Sequence, residues 1–257
     1  MKSELDTHKV RFLKTYVSCL TMEETVERIK KFINNKCKLQ HVVINAAKIV
    51  QLYKDEKLRK IINSCPIINA DGQSIIWAAK LFGIKVPERV TGIDLMYRLF
   101  KEAEVNGYKI YLLGAKSDVL EKAVSRIKEL YPNIQIVGYH HGYFTNDEEI
   151  IKDINSKNPD ILMVAMSSPK KEYWLYENIE KLNVSFCMGI GGSLDIIAGI
   201  VKRAPRWMQK MGLEWLYRFL QEPRRMWKRY IIGNIVFLFI VFKEYILNKA
   251  SNFGLDK

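Results

Sequence analysis

The chain has 257 residues, of which 48% are hydrophobic and 27% are charged, and its formal net charge is +13. This composition excludes a disordered chain, a collagen-like repeat and a polytopic membrane protein. The basic excess predicts an anionic partner. It is concentrated near the C-terminus, because residues 201–230 hold nine Lys or Arg against two Glu, a net +7.

Cysteine usage and the N-terminus indicate the compartment. The four cysteines are scattered without a CxxC pair, so we expect free thiols in a reducing compartment and neither a zinc site nor disulfides. Residues 1–6 are too charged to open a secretory signal. The sequence therefore predicts a cytosolic protein.

Short apolar runs alternate with helical patterns up to about residue 200, which predicts an α/β fold with a mostly parallel, Rossmann-like sheet flanked by helices. Strands are expected at 42–44, 66–69, 109–113, 134–137, 161–166 and 184–189. Helices are expected at 21–35, 46–63, 73–82, 92–106, 117–130, 147–156 and 169–181. The first helix opens with the capping-box spacing of Thr21 and Glu24.

The strand pattern stops near residue 199, where basic and aromatic residues take over, including three of the five Trp. We predict an α/β catalytic core over 1–198 and a helical, membrane-associating appendage over 199–257. The longest apolar run, 231–242, is followed by Lys243 and Glu244. A membrane span needs about 20 apolar residues. The sequence therefore predicts an interfacial helix that is too short to cross a bilayer.

Residues that follow the strands are the first candidates for a site, because parallel sheets bind ligands outside the carboxyl ends of their strands. Asn45 and Asp71 each follow a predicted strand. Burial at such a position would raise the pKa of the Asp71 carboxylate, as a general base requires. The same position suits the N-cap of helix 73–82, and the spacing leaves both interpretations open.

Two glycine turns join strands to helices, at Gly114 and at Gly191-Gly192. Their backbone N–H groups could hold a phosphate, or the glycines could simply permit tight connections. Adjacent His140 and His141 would point apart on a strand, and we interpret them as a surface turn.

The sequence contains no D-x-D pair of carboxylates, the arrangement through which many nucleotide-sugar enzymes bind a metal. If a diphosphate leaves in this protein, cationic side chains and helix dipoles must therefore stabilise it in place of a metal. Arg89, Lys170 and Lys171 are the candidate cations, although each could equally be a solvated surface charge.

Eight blocks stand in order along the chain and together resemble the WecG/TagA/CpsF glycosyltransferase family from about residue 10 to 245. They are Ile68-Asn-Ala-Asp-Gly72, Trp77-Ala-Ala-Lys80, Pro87-Glu-Arg-Val-Thr-Gly-Ile-Asp94, Pro169-Lys-Lys-Glu-x-Trp174, Gly191-Gly-Ser-Leu-Asp195, Lys202-Arg-Ala-Pro205, Gly212-Leu-Glu-Trp-Leu-Tyr-Arg218 and Gln221-Glu-Pro-Arg-Arg225.

The resemblance implies a bacterial inverting glycosyltransferase without a metal or other cofactor. Its partners would be a UDP-sugar donor, carrying N-acetylmannosamine or another hexose, and a saccharide on undecaprenyl diphosphate. It would act peripherally at the cytoplasmic face of the plasma membrane, on an anionic lipid surface, in teichoic acid, capsule or exopolysaccharide synthesis. A homo-oligomer is compatible with this role, and no nucleic acid is expected.

By similarity, Asp71 is the catalytic base. The residues implied to bind substrate are Asn45, Arg89, Asp195, Arg218 and Arg225. Other features of the sequence add further candidates: the glycine turns add Gly114, Gly191 and Gly192, a departure from the family pattern adds Lys171, and the basic block 202–205 adds Arg203.

Two departures from the family pattern bear on the substrate. Val43 stands where a threonine is expected, and Lys171 stands where a glutamine is common. Both positions could contact the sugar or the acceptor, so we expect a substrate that can differ from that of the teichoic acid enzymes. An inactive membrane scaffold stays open as an alternative. So does a nucleic-acid-binding module that uses the interleaved Arg and Trp of the appendage.

Overall fold

A two-stranded antiparallel hairpin opens the part of the chain that the structure, a computed structural model, describes, namely residues 8–253 with side chains to residue 249. Its strands are β1, Lys9–Phe12, and β2, Thr15–Ser18. The sequence analysis did not predict them. Residues 1–6, on which the prediction of no secretory signal depends, lie outside the described residues.

Six parallel strands form the central sheet, in the order β4-β3-β8-β7-β5-β6. They are β3 Leu39–Ile44, β4 Ile67–Ala70, β5 Lys109–Gly114, β6 Gln135–His140, β7 Ile161–Ala165 and β8 Phe186–Gly189. All residues of β4 and β7 are buried, as expected for strands covered on both faces. The predicted α/β class and the six predicted strands are confirmed.

Within residues 8–198, nine helices precede, follow or connect these strands. They are α1 Met22–Asn34, α2 Ala46–Lys54, α3 Glu56–Ser64, α4 Gln73–Leu81, α5 Gly92–Asn106, α6 Ser117–Leu130, α7 Asp147–Lys157, α8 Lys170–Asn178 and α9 Ser193–Ile197. The capping box between Thr21 and Glu24 is confirmed at the start of α1. The single helix predicted over 46–63 is wrong, because Asp55 ends α2 and its side chain caps α3 by accepting from the Leu58 N–H.

Helices alone follow α9 in the described part of the chain. They are α10 Arg206–Lys210, α11 Glu214–Gln221, α12 Pro223–Trp227, a π-helical turn at Lys228–Ile232, and α13 Gly233–Phe253. The division into a core and an appendage at residue 198 stays a prediction.

One face of α13 packs on the α/β core. Phe237, Ile240 and Val241 are buried in the same hydrophobic cluster as Val50 of α2. The Tyr53 hydroxyl of α2 also donates to Glu244 Oε1 at 2.8 Å. The other face carries exposed apolar side chains: Ile235, Leu238, Phe239, Phe242, Ile246 and Leu247. The helix therefore has one face on the protein and one apolar face outside it.

The prediction that the C-terminal segment is too short to span a membrane is wrong. Pro223–Lys249 forms a helical stretch of 27 residues that contains an 18-residue window with a mean hydropathy of 1.8, so by length and composition it could cross a bilayer. The sequence analysis counted the apolar run 231–242 alone. In the structure the helix continues on both sides of that run. The length to compare with a bilayer is therefore that of the whole helical stretch and not that of the run alone.

Candidate active site

The candidate site lies at the carboxyl ends of three neighbouring strands, β4, β3 and β8. Asp71 follows β4 and Asn45 follows β3, and the glycine turn 189–192 follows β8. Because these strands are adjacent and parallel, their ends open on the same edge of the sheet. The structure thus brings together three of the segments that the sequence predicts.

Asp71 does not cap the helix that follows it. Gly72 is the N-cap residue of α4, and no side chain caps that helix. The Asp71 carboxylate instead accepts from the Gly92 N–H at the start of α5, with 3.3 Å between N and Oδ1. The N-cap interpretation of Asp71 is therefore wrong for α4, and the carboxylate is turned toward the space between α4 and α5.

Burial raises the pKa of Asp71 above its ordinary value of 3.8. The hydrogen bond from the Gly92 N–H opposes this shift, as do the charge of Arg89 and a hydrogen bond from the Asn45 side chain, whereas Glu214 adds to it. Desolvation is the largest of these effects. A buried carboxylate whose hydrogen bonds only partly offset its desolvation is well suited to accept a proton.

Asn45 has a structural role beside Asp71. Its Oδ1 caps α2 by accepting from the Lys48 N–H at 3.1 Å. Val43, two residues earlier, lies against the start of α5, since a Cβ placed on Gly92 would be 3.6 Å from Val43 Cγ2. The valine therefore makes an apolar contact at the position where the family pattern has a hydroxyl.

Arg89 links the core to the appendage. Its Nη2 donates to the Gln209 carbonyl at 2.9 Å, and its Nη1 lies 3.5 Å from Glu214 Oε2. Arg203 lies at the same junction, with Nη2 2.6 Å from Asp94 Oδ1 and Nε 3.1 Å from Glu214 Oε1. The sequence analysis assigned Arg203 to substrate. In the structure its guanidinium pairs with one carboxylate of α5 and one of α11, and so connects these two helices.

A second acidic residue lies at the glycine turn after β8. Asp195 Oδ2 is 4.0 Å from Arg218 Nη2, and a Cβ on Gly192 would be 3.2 Å from the same carboxylate oxygen. Burial raises the pKa of Asp195, while the charges of Arg218 and Arg225 lower it. Arg218 of α11 therefore faces the core at this turn.

Two predicted residues have more ordinary surroundings. The Arg225 side chain is 64% exposed and pairs with Glu222 at 2.8 Å. Gly114 has a φ of +122°, and a Cβ there would lie 2.5 Å from the Ala165 carbonyl oxygen. Gly114 is therefore required by the close approach of β5 to β7, which supports the tight-connection interpretation.

Lys171 lies at the site, whereas Lys170 does not. The aliphatic part of the Lys171 side chain packs directly over Gly189, since a Cβ placed on this glycine would lie 2.7 Å from Lys171 Cδ and Cε. Its Nζ lies beside Gly191, where a Cβ would be 3.3 Å away. Lys170, by contrast, is exposed, with its Nζ 5.8 Å from the centre of the Phe144 ring. Of these two lysines, Lys171 is the one that lies at the glycine turn after β8.

A buried ion pair at the base of the site was missed by the sequence analysis. Lys48 Nζ of α2 pairs with Glu172 Oε1 of α8, and both side chains are almost fully buried. Their separation of 124 residues leaves no local signal. The one available clue was a lysine in the otherwise apolar helix pattern that follows Asn45.

The geometry defines a class of protein before any comparison. A parallel sheet presents the desolvated carboxylate of Asp71 at its carboxyl edge, and Arg89, Arg218 and Lys171 reach that edge from the core and the appendage. Within residues 8–253, no three His, Cys, Asp or Glu side chains lie together as a possible metal site. One base beside several cations is the arrangement of a group-transfer enzyme with an anionic leaving group.

Comparison with known proteins agrees with this class. Residues 10–251 match the glycosyl transferase WecG/TagA/CpsF family. Two proteins named N-acetylglucosaminyldiphosphoundecaprenol N-acetyl-beta-D-mannosaminyltransferase, from Staphylococcus aureus strains MW2 and NCTC 8325, are each 35% identical over 227 residues, covering 87% of this chain and 87% of each relative. The chain belongs to the WecG/TagA/CpsF family and is a glycosyltransferase.

Proposed function

We propose that the protein transfers an N-acetylmannosaminyl group from a UDP donor to N-acetylglucosamine carried on undecaprenyl diphosphate. The named activity of relatives that are 35% identical across 87% of the chain supports this reaction. The observation that carries the mechanism is Asp71, a carboxylate whose pKa is raised by burial at the carboxyl edge of the sheet.

Asp71 acts as the general base in this proposal. It takes the proton from the acceptor hydroxyl while the oxygen forms its bond to the anomeric carbon, and the bond from that carbon to the diphosphate of UDP breaks. The anomeric configuration inverts, because the attack is a single displacement. One carboxylate suffices, and Arg89, Arg218 and Lys171 supply the cations that stabilise charge on the departing diphosphate.

The substrates place the reaction at a membrane surface, and α13 supplies the contact in this proposal. A spanning helix would have to leave the core, where Phe237 is 2% exposed. An interfacial helix keeps those contacts and buries only its outer face, which carries Leu238 and Phe242. The net +7 of residues 201–230 favours an anionic leaflet. We therefore place the protein peripherally on the cytoplasmic face.

A panel of donors tests the proposed reaction. The purified protein is incubated with UDP-N-acetylmannosamine, UDP-N-acetylglucosamine, UDP-glucose or UDP-galactose and a short-chain prenyl-diphosphate N-acetylglucosamine acceptor. We expect UDP release and a disaccharide product with UDP-N-acetylmannosamine. Transfer from another donor, but not from UDP-N-acetylmannosamine, would show that the protein uses a different sugar, as its departures from the family pattern at Val43 and Lys171 allow. No transfer from any donor would support the inactive scaffold.

The same assay tests whether side chains alone stabilise the leaving group. Transfer should survive EDTA, because the proposed stabilisation of the diphosphate comes from cationic side chains. Complete loss with EDTA, restored by Mg²⁺ or Mn²⁺, would contradict this part of the proposal.

A further inference from the structure

The ammonium group of Lys171 stands at the glycine turn after β8 without a hydrogen-bond acceptor among the described residues. The Lys171 Nζ forms a long ion pair with Glu172 Oε1, at 3.8 Å, a distance too great for a hydrogen bond. A Cβ on Gly191 would lie 3.3 Å from the nitrogen, and the Lys171 side chain is only 14% exposed. Its three N–H donors therefore lie in a mostly enclosed place without a hydrogen-bond acceptor from the described part of the protein.

This arrangement is unfavourable for a lysine unless a ligand completes it. Burial and the nearby charge of Lys48 both lower the pKa of Lys171, to about 8. Lys171 also lies in the first turn of α8, where the helix dipole is positive and disfavours a cation. Each of these effects costs stability in the free protein and would be offset by an anion bound at the same point.

The carboxylate beside Lys171 does not neutralise it. Lys48 Nζ already pairs with Glu172 Oε1, the same oxygen that faces Lys171. Two lysines and one glutamate leave a net charge of +1. The Lys48–Glu172 pair therefore holds Lys171 in place but leaves its charge available. The two glycines beneath it, Gly189 and Gly191, leave the space that its stem and nitrogen occupy.

We propose that Lys171 binds a phosphate oxygen of the substrate diphosphate and that the buried Lys48–Glu172 pair is its positioning device. This inference rests on the proposed function, which supplies two diphosphates, one in the UDP donor and one in the lipid-linked acceptor. Their shared chemistry is a phosphate oxygen at the carboxyl ends of β3 and β8. A compact ammonium group with three donors is a common phosphate ligand.

Calorimetry with two probes, UDP and a short-chain prenyl-diphosphate N-acetylglucosamine, tests the proposal without requiring turnover. The variant is Lys171→Gln, which keeps a polar side chain, one atom shorter than lysine, and removes its charge. Lys170→Gln is the matched control, because it removes the same charge from an exposed neighbour. Lys171→Arg asks whether a cation alone is sufficient. Thermal melting of each variant shows whether it is folded.

We expect Lys171→Gln to raise the Kd of at least one probe by about tenfold or more, which is the usual effect of removing one charge-assisted hydrogen bond. A change for UDP assigns the donor phosphate, and a change for the prenyl compound assigns the acceptor phosphate. Lys170→Gln should change neither Kd, and Lys171→Arg should retain most of the affinity.

Unchanged affinity of folded Lys171→Gln for both probes would overturn the proposal. An equal loss in Lys170→Gln would do the same, because the effect would then belong to overall charge. Wild-type protein that binds neither probe would also overturn it. If binding depends on Lys171 but no donor sugar is transferred, the phosphate contact stands and the proposed reaction fails.

Discussion

Burial raises the pKa of Asp71, so the ionised carboxylate is less favourable in the folded protein than in the unfolded chain. Each unit of such a shift costs about 1.4 kcal/mol of stability at a pH where the group is ionised in both states. The cost is present at neutral pH. It disappears as the pH falls below the ordinary value of 3.8, because the group is then neutral in both states.

Asp71→Asn should therefore be more stable than the wild type at pH 7. The asparagine Oδ1 can still accept from the Gly92 N–H, but it carries no charge to desolvate. Thermal melting at pH 7 should give a higher Tm for the variant, and the difference should shrink as the pH is lowered toward 4. A lower Tm at pH 7 would show that the ionised carboxylate stabilises the fold.

The charge of Lys171 should make phosphate binding depend on pH. The pKa of Lys171 is lowered to about 8 by burial and by Lys48 and Arg229, while Glu172 and Asp71 oppose the shift. The cation is present below pH 8 and is lost above it. The diphosphate of UDP stays largely ionised between pH 7 and 9, because the last phosphate pKa is about 6.

If Lys171 contacts the donor, the Kd of the wild type for UDP should rise several-fold between pH 7 and pH 9. Lys171→Arg should show a flatter profile, because arginine stays protonated throughout. Calorimetry at the two pH values measures both. An equal rise for wild type and Lys171→Arg would assign the titration to another group.

The sequence predicts some residues of the site better than others. Asp71 and Asn45 could be found because a polar residue directly after a buried strand must lie at the sheet edge. The Lys48–Glu172 pair could not, because its members are 124 residues apart and meet only when α2 and α8 pack. The engagement of Arg203 with Asp94 likewise depends on how α11 docks, which the local sequence does not encode.

At the level of elements, Arg203 joins the appendage to the core through Asp94 of α5 and Glu214 of α11. Replacing it with methionine removes the cation that pairs with Asp94 and leaves Glu214 with Arg89 alone. We expect Arg203→Met to lose about 1–3 kcal/mol of stability and to be cleaved faster by protease between α9 and α11. Turnover should also fall, since Arg89 binds the same Glu214.

Arg206→Met is the control for this prediction, because Arg206 is exposed on α10. It should change neither the Tm nor the cleavage rate. If Arg203→Met resists protease as well as the wild type does, α11 docks without the two ion pairs. Contact with substrate would then be the remaining role proposed for Arg203.

The elements of the core were predictable because continuous β-branched and apolar runs mark buried parallel strands. The hairpin β1–β2 was missed because its strands, KVRF and TYVS, mix charged and polar residues with apolar ones and form no continuous apolar run. The length of the C-terminal helix was underestimated for a different reason. Polar residues on either side of the run 231–242 lower the local hydropathy but do not end the helix. Glu244, for example, lies within the helix and accepts a hydrogen bond from Tyr53.

At the scale of the whole molecule, the exposed face of α13 should attach the protein to a membrane. Leu238 and Phe242 are 64% and 63% exposed. Burying such a side chain in lipid is worth about 1.5–3 kcal/mol. The double substitution Leu238→Glu and Phe242→Glu should weaken co-sedimentation with anionic liposomes by at least about tenfold, without unfolding the core.

Val105→Glu is the matched control, because Val105 is 73% exposed on α5, away from the appendage. It should bind liposomes like the wild type. Equal binding by all three proteins would contradict the membrane role of α13. Extraction with carbonate at high pH separates the two ways of binding: an interfacial helix is released, whereas a spanning helix stays in the membrane pellet.

The central claim is that this glycosyltransferase uses Asp71 as its base. The most direct measurement compares wild type and Asp71→Asn for transfer from UDP-N-acetylmannosamine to a prenyl-diphosphate N-acetylglucosamine acceptor, with UDP affinity measured in parallel. We predict a fall in turnover of at least about 100-fold, with the UDP Kd unchanged within a few-fold. Near-normal turnover by the folded variant would contradict the account.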